Sequence, residues 1–156
     1  MEPELLMQMA IEAARRGVNS GQTPFGCAIA RDGDVLSVEH NTVWSTTDIT
    51  AHAEVNALRS ACRSTGEILL TGSVAATTCE PCPMCMAALH WGRVETVYFG
   101  ASIADAEQAG FNELNVSSEQ MVSIGGSDVK LVPGLMAEQC RELFREWLEN
   151  DNRQSY

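Results

Sequence analysis

The stretch Cys79-Glu80-Pro81-Cys82-Pro83-Met84-Cys85, together with the earlier tripeptide His52-Ala53-Glu54, decides how the rest of the chain is interpreted. Cys82 and Cys85 place two thiols three residues apart at the start of a helical pattern, just after a proline. His52, on the segment before, supplies a third ligand. Because three protein ligands leave one position of a tetrahedral zinc free for water, the sequence predicts a zinc site of the catalytic kind.

Glu54 is the residue of this pattern that does not fit the role of a ligand. On a regular helix, residues i and i+2 point to nearly opposite sides, so His52 and Glu54 could both reach one metal only if His52 preceded the helix. A carboxylate beside the metal but not bound to it can carry protons. Glu54 would take a proton from water activated by the zinc and return it to the nitrogen that leaves. Hydrolytic deamination is the reaction class that this predicts.

A structural zinc site is the alternative to this interpretation. Cys79, Cys82, Cys85 and His52 could close a Cys3His site that holds no water and performs no chemistry. Such a site would leave Glu54 without a role, and for this reason the catalytic interpretation is favoured. A deaminase-like fold with a structural zinc, acting as an interaction module, remains the rival from a different functional class.

Length and composition predict a single soluble domain in a reducing compartment. The chain has 156 residues, of which 45% are hydrophobic and 20% charged, enough for one substantial core. There is no apolar run near 18 residues and no basic-then-apolar leader, so we expect a cytoplasmic protein with no membrane partner. Cys27, Cys62 and Cys140 lie in apolar patterns and are expected to be small core residues.

The net charge argues against a nucleic-acid substrate. The chain carries 10 Lys and Arg against 21 Asp and Glu, a formal charge of −11. Proteins that hold a phosphate backbone need a clustered positive surface. No such cluster is present, since the nearest approach is Arg15-Arg16 at the end of a predicted helix. A small neutral substrate is therefore expected.

The hydrophobic pattern predicts the order α-β-β-α-β-α-β-α-β-α. This order indicates one mixed sheet of five strands with helices on both faces, and a helical piece between the fourth and fifth strands favours parallel pairing of that pair. Gly110 to Gly126 is expected to be irregular, with a brief helix capped by Ser117. The predicted elements are helix 3–16, strands 25–30 and 35–38, helix 52–63, strand 73–78, helix 82–91, strand 94–99, helix 103–108, strand 128–132 and helix 133–149.

These motifs together resemble the cytidine deaminase-like superfamily, and within it the short, zinc-dependent guanine deaminases of bacteria. The H-x-E and P-C-x-x-C patterns are the signature of zinc deaminases. The resemblance runs from Pro24-Phe25-Gly26 through both metal motifs to the segment 105–111, Asp-Ala-Glu-Gln-Ala-Gly-Phe. It implies a three-layer α/β/α fold, one Zn2+ per chain on His52, Cys82 and Cys85, and Glu54 as the proton shuttle.

The resemblance also implies the substrate contacts. Asn41 would hydrogen-bond the base, Phe25 and Trp91 would pack against its ring, and an acidic residue after Ala-Gly-Phe would bind the amidine edge of a purine. Glu113 occupies that place, where the subgroup pattern has Asp. Tyr156 would close the pocket, with the tail 148–156 exchanged between the chains of a homodimer. The implied substrate-binding residues are Phe25, Asn41, Ala53, Trp91, Glu113 and Tyr156.

Purely structural interpretations of these residues remain open. Asn41 could be a turn residue, Phe25 and Trp91 could be core aromatics, and Glu113 could be a surface carboxylate. The reaction expected from the resemblance is conversion of guanine to xanthine and ammonia. Deamination of guanosine, of cytosine or cytidine, or of an aminated triazine are rivals within the enzyme class. A tRNA adenosine deaminase is less favoured because of the net charge.

Overall fold

The computed structural model of the chain describes all 156 residues and is built on one five-stranded sheet. Its strands are β1 (Gly26–Arg31), β2 (Asp34–His40), β3 (Ser73–Cys79), β4 (Thr96–Ala101) and β5 (Lys130–Pro133). The strand order is β2-β1-β3-β4-β5. β1 pairs antiparallel with both β2 and β3, whereas β4 is parallel to β3 and to β5. The predicted mixed sheet and the parallel pairing of the last two strands are confirmed.

Seven helices cover the two faces of the sheet. One core cluster joins α1 and α7 to the sheet, and a second joins α3, α4 and α6 to the opposite face. No helix is both long and apolar enough to cross a bilayer. The helices are α1 (Pro3–Asn19), α2 (Val43–Thr46), α3 (Ala53–Thr65), α4 (Pro83–Trp91), α5 (Ile103–Gln108), α6 (Ser118–Gly125) and α7 (Ala137–Leu148).

The two metal motifs stand at the starts of two helices. His52 is the residue before α3 and has extended dihedral angles, φ −65° and ψ 158°. Cys82 precedes α4 with φ −63° and ψ 166°, and Pro83 takes the first helical position, where proline's missing N–H costs nothing. Because His52 precedes the helix, the i, i+2 geometry of a helix does not apply to it. The side chains of His52 and Glu54 can therefore face the same site.

β1 lies unusually close to α1. A side chain on Gly26 would meet the backbone carbonyl of Ala10, so only glycine allows this approach. The amide of Gly26 donates to Thr78 Oγ1 at 3.0 Å. This contact fixes the start of β1, and with it Phe25, beside the end of β3, where the metal loop begins.

Several predicted boundaries need correction. The last helix was expected from Pro133, but Pro133 pairs with Phe99 in β5, and α7 begins only at Ala137. Gly134 and Met136 adopt positive φ angles of 83° and 52°, which turn the chain between strand and helix. The loop 41–50 contains the short helix α2, and Cys62 is only partly buried. The short helix capped by Ser117 is confirmed, since Ser117 and Gln120 form a capping box.

Candidate active site

His52, Cys82 and Cys85 come together at the carboxyl end of β3. The Nδ1 atom of His52 lies 3.7 Å from Cys82 Sγ and 3.5 Å from Cys85 Sγ. The three ligand atoms all lie within 4.8 Å of one another. Around a tetrahedral zinc with ordinary bond lengths, a nitrogen and a sulfur ligand are separated by about 3.5 Å. The two nitrogen–sulfur distances are therefore close to those around a bound zinc ion.

The surroundings favour the ionised thiol that a metal requires. Cys82 lies at the positive end of α4. A hydrogen bond from Cys85, reinforced by His52, lowers the pKa of the Cys82 thiol to about 4, although burial opposes the shift. The hydrogen bond to Cys82, together with burial, raises the pKa of the neighbouring Cys85 thiol. The surroundings therefore favour ionisation of the Cys82 thiol over that of Cys85.

Cys79 does not lie in position to be a fourth protein ligand. Its thiol is buried and donates to the carbonyl oxygen of Ser102 at 3.4 Å, and the metal-ligating group contains only His52, Cys82 and Cys85. The closed Cys3His arrangement is not assembled. A zinc held by these three residues keeps a fourth position for water.

Glu54 lies in the first turn of α3, beside the three ligands and against the end of β3. Its side chain is 6% exposed and accepts a hydrogen bond from Thr77 Oγ1 at 3.2 Å. Burial raises the pKa of this carboxyl, with the Cys82 charge acting in the same direction. A raised pKa suits a group that must both accept and release a proton near neutral pH.

A narrow cleft with a volume of about 30 Å³ opens in front of this group. It continues outward into a wider, mostly apolar opening of about 310 Å³ that includes Ile49, Met84 and Leu114. The outer opening falls within the size range of small-molecule sites, about 300–1,000 Å³. The inner cleft is lined by Phe25, His52, Glu54, Cys79, Glu80, Cys82, Glu113 and Tyr156.

Three of the expected substrate-binding residues line the inner cleft, namely Phe25, Glu113 and Tyr156. Phe25 packs edge-on against Phe111, with ring centroids 4.9 Å apart, and presents its ring to the cleft. Glu113 is half-buried and also lines the inner cleft. Burial, and next the negative charge on Cys82, raise the pKa of Glu113 to about 6.

Tyr156 lines the cleft, and Asn41 contacts Tyr156 without lining the cleft itself. Asn41 is fully buried, and its Oδ1 accepts from the amide of Val43 at 3.0 Å. Its side-chain amide donates to the phenolic oxygen of Tyr156 at 2.6 Å. Trp44 donates its indole N–H to the carbonyl of Gln154 at 3.1 Å, which also holds the tail in place. In the single chain the tail thus covers its own site, and exchange of the tail stays a prediction.

The structure does not bring Trp91 to the cleft. Trp91 is 71% exposed at the carboxyl end of α4, about 9 Å along the helix from Cys85 at 1.5 Å per residue. Trp91 lines neither the inner cleft nor its outer opening, so the single chain gives no support to its packing against the base, which stays a prediction. Ala53 is fully buried, and its side chain packs in the core between α3 and the sheet, so only its main chain could meet a substrate.

Sequence reasoning missed three residues that support the site. Thr77 holds Glu54, Trp44 holds the tail, and Glu80 bonds to the starts of two helices. Glu80 carried a visible signal, since it is a carboxylate inside the metal loop. Thr77 and Trp44 carried none, because their partners lie 23 and 110 residues away in sequence.

The fold and this site define a zinc-dependent deaminase of nucleobases or nucleosides. Residues 1–101 match the sequence family described as the cytidine and deoxycytidylate deaminase zinc-binding region. The chain belongs to this family and carries the His/Cys/Cys zinc-binding triad typical of it. It is an aminohydrolase that resembles guanine deaminases.

Known proteins similar to this chain include guanine deaminases and tRNA-specific adenosine deaminases. Guanine deaminase of Bacillus subtilis (strain 168) is 40% identical over 120 residues, covering 76% of this chain and 77% of that protein. The tRNA-specific adenosine deaminase of Aquifex aeolicus (strain VF5) is 39% identical over 101 residues, covering 65% and 67%. The solved structure of an NE0047 mutant in complex with 8-azaguanine has a TM-score of 0.87 and 25% identity, covering 94% of this chain and 84% of that one.

Proposed function

We propose that the protein hydrolyses free guanine to xanthine and ammonia, with one zinc ion per chain. The observation that carries the proposal is the placement of the Glu113 carboxylate in the wall of the cleft that contains His52, Glu54 and Cys82. A second, half-buried acid in the same cleft as the metal ligands is a group that can bind donors on the substrate. It is not needed for the zinc chemistry itself.

The reaction is the replacement of an amino group by oxygen. When bound by His52, Cys82 and Cys85, a zinc ion supplies a Lewis acid that makes water nucleophilic at neutral pH. Glu54 takes a proton from the attacking water and delivers it to the nitrogen at C2 of guanine, which leaves as ammonia. Guanine and one water thus give xanthine and one ammonia. Thr77 keeps the Glu54 carboxylate oriented throughout.

Glu113 gives the site its preference for guanine. The N1–H and the C2 amine of guanine are adjacent donors that one carboxylate can accept together. Adenine presents no such pair, so a carboxylate in this position would be buried without partners, at a cost of about 1–3 kcal/mol. Phe25 offers a ring for packing against the base. Asn41 retains one N–H and one lone pair beyond its bonds to Tyr156 and Val43.

The relatives support a purine base, and the charge of this chain favours a free base over a tRNA. Similarity to guanine deaminase and to a tRNA-specific adenosine deaminase is nearly equal in identity, but the former covers more of the chain. A tRNA substrate requires cationic contacts to phosphates. With a formal charge of −11, this chain is poorly suited to them. The complex of NE0047 with 8-azaguanine shows that a protein of this fold accommodates a guanine analogue.

A homodimer is part of the proposal. The outer side of the α4–α6 layer exposes large apolar side chains, including Trp91 at 71% and Ile124 at 85%. Apolar surface of this kind is typical of subunit contacts. Exchange of the tail between chains can be tested by mixing a Glu54→Gln chain with a chain lacking residues 152–156. Recovery of activity in the mixture would show that a tail completes the partner's site, and no recovery would show that each tail serves its own chain.

A panel of substrates tests the proposed function. Ammonia release by the zinc-loaded protein is measured with guanine, guanosine, adenine, cytosine, cytidine and a tRNA that contains adenosine at the wobble position. Guanine should give the highest kcat/KM by at least about 100-fold, since unpaired polar groups in a site penalise the wrong substrate strongly. A higher kcat/KM for the tRNA or for cytidine would contradict the proposal.

A further inference from the structure

Glu80 links the metal loop to the starts of two other helices. One carboxylate oxygen, Oε1, accepts from both the amide and the hydroxyl of Ser118, the first residue of α6, at 2.9 Å each. The other oxygen, Oε2, accepts from the amide of Ile103, the first residue of α5, at 3.2 Å. The amide of Glu80 itself donates to the carbonyl of Ala101 at the end of β4 at 2.8 Å.

The segment 109–117, which carries Glu113, connects the two helices that Glu80 holds. The backbone hydrogen bonds of this segment are all local. The amide of Phe111 donates to Ala106, that of Glu113 to Phe111, and that of Val116 to Leu114. No backbone bond joins residues 110–116 to the sheet or to the metal loop. The position of the segment therefore depends on side-chain contacts and on its two ends.

Phe111 provides one side-chain anchor but does not determine where Glu113 points. Its ring is 4% exposed and is stacked on Trp147 with centroids 4.9 Å apart. Glu113 lies two residues further on, in a stretch whose neighbours Asn112 and Leu114 are exposed. A chain fixed at Phe111 alone could swing about that residue. A second fixed point, at Ser118, removes this freedom.

We propose that Glu80 is a positioning residue for substrate selection, which holds the segment 109–117 so that Glu113 faces the cleft. The proposal rests on the proposed function in one respect, namely that Glu113 contacts the base. Glu80 shares the loop of Cys82 and Cys85, so the same six residues, 80–85, fix the metal ligands and the specificity segment relative to each other. Misplacement of a binding group by about 1 Å can cost up to about 100-fold in rate.

Both carboxylate oxygens are required for this role. Glu80 uses one oxygen for each helix, and an anion at two helix starts is also favoured by the helix dipoles. A glutamine has the same size but only one acceptor oxygen, and its NH2 group would face an N–H donor. Glu80→Gln should therefore satisfy one helix and release the other, with no change in volume.

The experiment compares Glu80→Gln with a matched control, Glu119→Gln, in zinc-loaded protein. Glu119 is an exposed carboxylate in the first turn of the same helix and makes no hydrogen bond or ion pair. Three quantities are measured: the zinc content, kcat and KM for guanine, and hydrogen exchange of the amides in 109–117. Ser118→Ala, which removes one of the three donors, is a milder variant that carries the test if Glu80→Gln does not fold.

We expect Glu80→Gln to keep its zinc, to exchange faster in 109–117, and to raise KM about tenfold with a much smaller change in kcat. Glu119→Gln should match the wild type, and Ser118→Ala should change in the same direction as Glu80→Gln but less. Loss of zinc in Glu80→Gln, or unchanged exchange and KM, would overturn the proposal. If the wild type did not act on guanine, the proposed function would fail, whereas hydrogen exchange would still report whether Glu80 holds the segment.

Discussion

The side-chain amide of Asn41 donates a 2.6 Å hydrogen bond to the phenolic oxygen of Tyr156, 115 residues further along the chain. The Tyr156 ring lies 5.5 Å from the His52 ring and 5.8 Å from that of Phe111. Burial raises the pKa of the phenol well above its ordinary range, so the group stays neutral and able to donate. Tyr156 therefore forms part of the wall of the cleft, and we expect the tail to exclude water from the reacting groups.

Deletion of residues 152–156 should abolish deamination while leaving zinc content and the melting temperature nearly unchanged. The tail is polar and largely exposed, so the core does not depend on it, yet Tyr156 closes the cleft. Tyr156→Phe is the matched milder change. It keeps the ring and removes one hydrogen bond, so kcat/KM should fall by about fivefold, the equivalent of about 1 kcal/mol. Normal turnover of the truncated chain would show that the tail has no role in catalysis.

The rate with guanine should depend on pH through Glu113. Burial raises the pKa of this carboxyl to about 6, and only the ionised form accepts two donors from the base. As pH falls through about 6, Glu113 becomes protonated and kcat/KM for guanine should fall. Glu113→Gln should have a low kcat/KM at all pH values and lack this acidic limb, with little change in folding. An acidic limb that persists in Glu113→Gln would assign it to another group.

Substitution of two cysteines separates a catalytic from a structural zinc site. Cys85→Ser should lose zinc, because Cys85 is one of only three ligands. Cys79→Ser should retain it, since the Cys79 thiol bonds to the carbonyl of Ser102 instead. Zinc per chain is measured by atomic emission after dialysis. Loss of zinc in Cys79→Ser would favour a closed Cys3His site and would argue against catalysis.

Trp91→Gln should affect association and not base binding. The indole is 71% exposed and lies away from the cleft. Its replacement should raise the dissociation constant of the dimer, seen by sedimentation velocity over a range of concentrations, because exposed aromatic residues dominate many interfaces. Zinc content should stay at one per chain. An unchanged dissociation constant would show that Trp91 is not part of the interface.

The sequence was most informative where the site depends on local spacing. Cys82, Cys85 and Pro83 define a helix start within four residues, and His52 and Glu54 define another, so ligand types and their helical context follow from the chain itself. The alternation of strands and helices likewise predicts the mixed sheet. The fold class needed no knowledge of long-range contacts.

Features that depend on tertiary contacts were not predictable in this way. Trp91 was placed at the substrate by resemblance, but the length of α4 carries it away from the metal end. Glu80 had no assignment because its partners, Ile103 and Ser118, are 23 and 38 residues away and meet only in the fold. The start of α7 was misplaced because the positive φ of Met136 has no signal in a methionine.

Glu54 offers the most direct measurement of the proposed chemistry. In zinc-loaded protein, xanthine and ammonia should form from guanine in a 1:1 ratio, and Glu54→Gln should reduce kcat by at least about 100-fold, the lower range for a general acid–base group. The same variant should keep its zinc and its melting temperature, because glutamine can still accept from Thr77. Xanthine formation by Glu54→Gln at a rate near that of the wild type, with zinc bound in both, would contradict the assignment of Glu54 as the proton carrier.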